Sequence, residues 1–424
     1  MSTVKKDRLD NGVTVVTEEI STSNSVSIGF WVKVGSKDES EKENGYSHFI
    51  EHMLFKGTKK RSYLDIAREV DRVGAYLNAS TTREDTCYYM NIKKDSFDFA
   101  VELLCDIVEN SIFPEKELLQ EKNVVLEEIK MYNDTPEDLV YENFFKSMFY
   151  NHPFGMPITG DIENIKNITR EGVIEFYKRN YIPSNLVIAA AGNVEHQNLL
   201  KLLRKYKFMS NRANLQPIKN LNNKEFIRKD NILIKNFNQV HICLGFPGIS
   251  ATHSLRYALY IFNTIFGSSM SSRLFQKIRE KLALCYSIYS FYSSFRETGV
   301  FGIYLATSLN TLEKALINIL KEVKLIRKKG ISKKELEDAK EHIKGNLALA
   351  YEQNEVRMNR LARQEIIFGR HFTYKEIINA INSVKLDHIM QIIDIFFPKE
   401  YKIIISSVGI EKHKKILKNI DFVI

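Results

Sequence analysis

A chain of 424 residues is too long for one ordinary hydrophobic core, so two or three domains are expected. With 44% hydrophobic and 27% charged residues it is globular rather than disordered, and its four cysteines, none at CxxC spacing, exclude a disulfide framework and a thiolate zinc site. The formal net charge of +9 would suit a nucleic-acid partner, but the lysines are scattered and no nucleic-acid motif accompanies them, so solvated lysines of a skewed composition account for the excess.

The N-terminus carries no apolar signal region, and no apolar run nears the ~20 residues that span a bilayer. A soluble, cytoplasmic protein with neither nucleic acid nor membrane as partner is therefore expected, and free thiols fit a reducing compartment. Residues 13–16, just after an Asn-Gly turn, form the first strand-like run. Residues 26–34 are apolar and β-rich, as in a strand of a covered sheet. Residues 45–57 read as a helix, 87–92 as a strand and 96–111 as a helix. Pro114 suits a first helical turn, and residues 114–132 read as a long helix. Residues 186–191 are a buried strand. Residues 210–225 are rich in Asn and Lys, carry Pro217 and lack an apolar period, as a linker would.

The second half repeats this grammar, with strands at 241–246 and 300–306 and a helix at 311–327. Residues 114–129 and 332–347 each follow a strand and a helix, and both contain Lys-Glu-Leu in register, at 116–118 and 334–336. An α+β protein follows, with two homologous domains, each a mostly antiparallel sheet packed with helices: residues 1–209, a linker at 210–227, and residues 228–424. In that register Glu121 faces Ala339 and Glu128 faces Asn346. The second half has no HxxEH, so the acids occur only in the copy that also holds the histidines.

The chemistry centres on His48-Phe49-Ile50-Glu51-His52. Residues four apart share one face of a helix, so His48 and His52 can bind one ion through their imidazoles. Two imidazoles and one carboxylate leave zinc an open position for water, whose pKa falls from ~15.7 to about 7. Glu51 sits beside both ligands, placed to act as general base. The order HxxEH inverts the commoner HExxH while meeting the same requirement. A third ligand must come from elsewhere. The helix over 114–132 offers Glu117, Glu121, Glu127 and Glu128, and spacing alone does not choose among them. His241, in an apolar run, reads as a core residue.

The stretches 45–58 (GYSHFIEHMLFKGT) and 74–89 (GAYLNASTTREDTCYY) resemble the metal segment and following strand of the inverted-motif zinc peptidases, the family of pitrilysin, insulysin and the mitochondrial processing peptidase. The resemblance covers nearly the whole chain and implies a zinc metalloendopeptidase. It selects Glu128 as third ligand: the family's ligand lies in a V-[IV]-L-x-E stretch, matched by residues 124–128, and Glu128 is 76 residues past His52. The assisting acid seven residues earlier maps to Glu121. Residues 270–288 (MSSRLFQKIREKLALCYSI) resemble the family's C-terminal segment, which implies that Arg279 and Tyr286 contact substrate backbone and the oxyanion. The resemblance also implies that an extended peptide adds as a strand near Asn78 and Ala79, and that His152 is structural.

The chain has the length of the family's half-sized members, in which two subunits close around a cavity. It keeps both the metal set and the Arg/Tyr pair, and residues 266–270 (FGSSM) lack the long glycine-rich loop of the metal-free subunit. These features imply a homodimer with one Zn2+ per chain acting on unfolded or short peptides. The alternative is a non-catalytic or heterodimeric subunit of a processing-peptidase-like assembly; the non-catalytic form predicts eroded ligands, whereas a heterodimer with a degenerate partner is compatible with the intact set.

Overall fold

A computed structural model describes residues 3–210 and 226–424. The expected linker lies, apart from its ends, outside the described residues. Eleven strands are present among the described residues: β1 Thr3–Arg8, β2 Thr14–Glu19, β3 Ser25–Val32, β4 Tyr76–Thr81, β5 Thr86–Lys93, β6 Leu186–Gly192, β7 Asn231–Ile234, β8 Val240–Pro247, β9 Ser287–Ser294, β10 Gly299–Thr307 and β11 Ile404–Gly409. The α-helices of the first half are α1 Tyr46–Leu54, α2 Tyr63–Arg72, α3 Phe97–Asn110, α4 Glu115–Asp134, α5 Pro136–Met148, α6 Ile162–Asn167, α7 Arg170–Asn180 and α8 His196–Lys205. Those of the second are α9 Arg256–Asn263, α10 Leu309–Lys329, α11 Lys333–Ala350, α12 Asn354–Phe368, α13 Tyr374–Asn382, α14 Leu386–Phe396 and α15 Glu411–Lys418.

The chain forms two compact units. Each holds one sheet, in the order β1-β2-β6-β3-β5-β4 in the first and β7-β11-β8-β10-β9 in the second. Without the extra edge strand β1, the two orders are the same when strands are numbered within each unit. The pairing directions agree as well. One parallel pair, β2 with β6 or β7 with β11, joins three antiparallel pairs. Two homologous, mostly antiparallel α+β domains are therefore present.

Each unit draws on interleaved segments rather than on one cut near residue 210. The first comprises residues 1–130, 156–223 and 349–371; the second comprises 131–155, 224–348 and 372–424. The physical reason lies in the sheets, which are apolar on both faces. In the first unit Val26, Ile28, Phe30, Leu186, Ile188 and Ala190 point into a core shared with α1, α3 and α8. The alternate positions Trp31, Val187, Ala189 and Ala191 face the other way, onto Met358, Leu361, Ala362 and Ile366 of α12. The second unit mirrors this. Ile242, Leu244, Phe301 and Ile303 face its main core, while Cys243, Val300 and Tyr304 meet Val140, Phe144 and Met148 of α5. Gly245 lets α5 approach, since a Cβ there would lie 2.4 Å from Met148 Sδ. Met358, Leu361 and Ile366 of α12 and Val140, Phe144 and Met148 of α5 each contribute roughly 1.5–3 kcal/mol on burial, so both exchanged helices are firmly seated.

The strands and helices expected from periodicity are all found, within a few residues at their ends. Strands β1, β4, β7, β9 and β11 have no counterpart in that periodicity reading, β4 being covered only by the resemblance over 74–89. β1 (TVKKDR) is mostly exposed and lacks apolar alternation. All four cysteines are free.

Candidate metal centre

Gly45 is the N-cap of α1; its φ of +101° is open to glycine, and a Cβ there would lie 2.9 Å from Gly160 Cα. Glycine offers no capping side chain. Glu39 supplies the cap from six residues upstream, accepting from Gly45 N at 2.8 Å, Ser47 N at 2.6 Å and Asn44 Nδ2 at 3.1 Å. Burial pushes the Glu39 carboxyl up to about 8, against the pull of those donors. Phe49, Ile50, Met53 and Leu54 bury one face of α1 in the core. That leaves His48, Glu51 and His52 together on the other face.

α4 lies alongside. Leu118, Val125 and Ile129 bury its apolar stripe, and Glu121 falls within the same stripe. One turn of helix separates Val125 from both Glu121 and Ile129, and Glu128 sits at the border of the stripe. Ligand atoms of His48, His52 and Glu128 all lie within 4.8 Å of one another. Glu128 Oε2 is 3.7 Å from His48 Nε2 and 3.6 Å from His52 Nε2, with the two rings 4.7 Å apart. Among the described residues this is the one group that could hold a metal.

The surroundings prepare each histidine differently. Burial, helped by His52, pushes His48 down to about 3, so it is neutral and its contact with Glu128 is not an ion pair. Burial pulls His52 the same way, but its bond to Glu121 and the nearby Glu51 and Glu128 carboxyls outweigh it and hold the ring above its ordinary value. His52 Nδ1 meets Glu121 Oε2 at 3.1 Å, which leaves Nε2 for a metal. Burial raises Glu121, yet its bonds to His52 and Lys56 win and hold it below the usual carboxylate range. Glu51 is raised by burial despite a 2.5 Å bond from Thr81 Oγ1. Two imidazole nitrogens and one carboxylate oxygen, with one imidazole oriented by an outer acid, fit zinc.

The other expected residues fall in two places. Asn78 and Ala79 lie on β4, at the edge of the first sheet, on the strand whose Thr81 bonds Glu51. The Ala79 N–H donates to Asn78 Oδ1 at 2.8 Å. Arg279 and Tyr286 belong to the second unit. Arg279 lies on a π-helical turn, Phe275–Lys281, with its guanidinium 6.0 Å from the Tyr286 ring centre. Tyr286 is 74% exposed, unlike a core tyrosine. His152 is buried, accepts from Phe154 N and stacks on the Phe154 ring, a structural position. His241 bonds Tyr304 Oη at 2.8 Å inside the second unit.

Glu39, Lys56 and Thr81 were not singled out from sequence. Lys56 stands four residues past His52, where a helix would have brought it to the same face. Thr81 shares its face of β4 with Ala79, and Glu39 leaves no signal, because its main targets are backbone N–H groups.

The fold and this cluster define a two-unit α+β chain with a His-His-Glu metal set in one unit. The model described as "Insulinase (Peptidase family M16)" matches residues 14–162, which include all three cluster residues. The model described as "Peptidase M16 inactive domain" matches residues 167–343, which include Arg279 and Tyr286. An uncharacterized zinc protease of Bacillus subtilis is 38% identical over 95% of this chain and 98% of its own length. One of Streptomyces coelicolor is 34% identical over 92% and 86%. A solved protease from Helicobacter pylori has the same fold, with TM-score 0.87 at 21% identity, over 96% of this chain and 100% of that one. The chain belongs to peptidase family M16, as a half-sized member.

Proposed function

We propose that the protein is a zinc metalloendopeptidase that hydrolyses unfolded or short peptides. The observation that carries this reading is the convergence of His48, His52 and Glu128, two ligands from one helical turn and one from a separate helix. Held by these three residues, zinc would supply a bound water with a pKa of about 7 and a Lewis acid for the scissile carbonyl. Glu51 takes the proton of the attacking water and returns it to the leaving amine, a double duty that its raised pKa suits. Glu121 holds His52 through Nδ1.

An extended peptide adds to the outer edge of β4 at Asn78 and Ala79, its carbonyl replacing Asn78 Oδ1 on the Ala79 N–H. Arg279 and Tyr286 steady the oxyanion. The arrangement is a homodimer in the cytoplasm, in which residues 1–209 of one subunit supply the metal set and residues 228–424 of the other supply the Arg/Tyr pair. The intact ligand set favours this reading over a non-catalytic subunit.

The test is metal analysis of the purified protein, then digestion of a peptide library with and without a chelator. One zinc per chain and chelator-sensitive cleavage are expected. Glu51→Gln should keep the zinc and lose cleavage by roughly 100- to 10,000-fold. Wild-type turnover in that variant would refute the base assignment.

A further inference from the structure

Outside the ligands, the feature least explained by folding alone is an ammonium beside a cation site. Lys56 Nζ lies 2.6 Å from Glu121 Oε1, while the other oxygen of that carboxylate meets His52 Nδ1 at 3.1 Å. On its own a lysine so close to the site would repel a divalent ion. The intervening carboxylate changes that balance, because it accepts from both sides. The Glu121 side chain is nearly buried, at 6% exposure, whereas Lys56 reaches it from a partly open position at 28%.

The local backbone explains how Lys56 gets there. α1 ends at Leu54, and its last carbonyls are taken by the next residues, Phe55 N on His52 O and Lys56 N on Met53 O. This keeps the chain winding for a further turn. Lys56 thereby stays on the side of His52 that faces α4. The positive charge also lies at the C-terminal end of α1, where the helix dipole favours it.

We infer that Lys56 is a positioning residue for the metal site: by holding one oxygen of Glu121, it aims the other at His52 Nδ1 and so fixes the His52 Nε2 lone pair on the ligand position. The inference rests on the zinc reading above. A carboxylate bound at one oxygen alone can rotate about its terminal torsion, which is broad. Held at both oxygens it cannot. Outer partners of ligating histidines typically carry 10- to 100-fold in metal affinity.

The test uses the full chain and zinc itself, with affinity read by competition against a chromogenic chelator. Lys56→Met should weaken zinc by about 10-fold or more, and Lys56→Arg should restore it to within a few-fold, since a guanidinium can also bind the carboxylate. In a Glu121→Gln background, Lys56→Met should cost almost nothing further, because the link it acts through is gone. Circular dichroism and the unfolding midpoint of the zinc-free protein should stay at wild-type values. Should the Met variant not fold, Lys56→Gln takes its place in the same cycle. Zinc affinity of Lys56→Met within twofold of wild type, or an equal loss in both backgrounds, overturns the inference and leaves the zinc reading standing. A wild-type protein that binds no zinc removes both.

Discussion

The two sheets share strand order and pairing direction, and each receives a helix from the other half of the chain on its second face. Only the first carries, among the described residues, a group of side chains that could hold a metal. Along the duplicated helix, Glu121 and Glu128 of α4 stand in register with Ala339 and Asn346 of α11. Ala339 is buried with the apolar stripe, as Glu121 is, so the scaffold accepts either a methyl group or a paired carboxylate there. The comparison teaches that architecture and chemistry are separable in this molecule. The topology needs alternating apolar residues, while the site needs a few polar side chains added to one copy.

The sharpest way to test that separation is to remove the acid that α4 contributes. Glu128→Gln keeps shape and helix but loses the anionic ligand. Zinc affinity should fall by more than the roughly 100-fold ceiling typical of an outer-partner loss. Chelator competition on the purified variant measures it, and unchanged affinity with full stoichiometry would place the third ligand elsewhere.

A smaller effect belongs to the second unit. Arg279→Ala should lower kcat roughly 100-fold, as loss of one oxyanion donor does, while zinc content stays at wild type. Steady-state kinetics beside metal analysis separate the two, and an unaltered kcat/KM would leave the second unit without a chemical role. The contrast with Glu128→Gln is the point: one unit's variant loses metal, the other's loses rate.

The two histidines differ in a way that pH exposes. Ligands bind zinc deprotonated, so affinity falls on acidification. His48, held near 3, is already neutral, whereas His52, held above its ordinary value, has a proton to give up. Below the raised value of His52 zinc affinity should fall with the slope of one histidine proton rather than two. Calorimetry in buffers of differing ionisation enthalpy counts it, and a two-proton slope would show that His48 is not pre-neutralised. In the zinc-free protein the two groups act in opposite senses. The stability His48 contributes is present above about 6.5 and lost as pH falls towards about 3. That from His52 is present below about 6.5 and lost as pH rises through its raised value.

How much of this was legible in the sequence follows from range. His48, Glu51 and His52 are neighbours on one turn, so helical spacing alone places them together. Glu128 is legible only through the resemblance, because no periodicity links it to His52 across 76 residues and the other acids of α4 compete with it. Lys56 is marked only by its helical spacing from His52, Glu39 caps a helix that starts a few residues on, and Thr81 meets a carboxylate that no local pattern links to it. The exchange of α5 and α12 was hidden for a related reason. An amphipathic helix announces that it has an apolar face but not which sheet will cover it, and both sheets here are apolar on both sides.

The smallest expected effect is the absence of one. Ala339→Glu with Asn346→Glu would give α11 both acids of α4. If a metal site needed only acids on this helix, a second zinc would bind. It should not, because the acids would have one histidine to work with rather than two. His342 lies one turn before Asn346 and already meets its amide at 3.0 Å, so the double substitution supplies a His/Glu pair on an exposed face, while the second acid, at the buried position 339, lies in the apolar stripe. Zinc wants four donors and keeps at most one position for water in a catalytic site, so such a pair falls a ligand short. Zinc should stay at one equivalent per chain by metal analysis after desalting, with α11 still folded. A second equivalent held as tightly as the first would mean that the second copy lost its chemistry through its acids alone, and that the histidine pair of α1 is not what sets the two units apart.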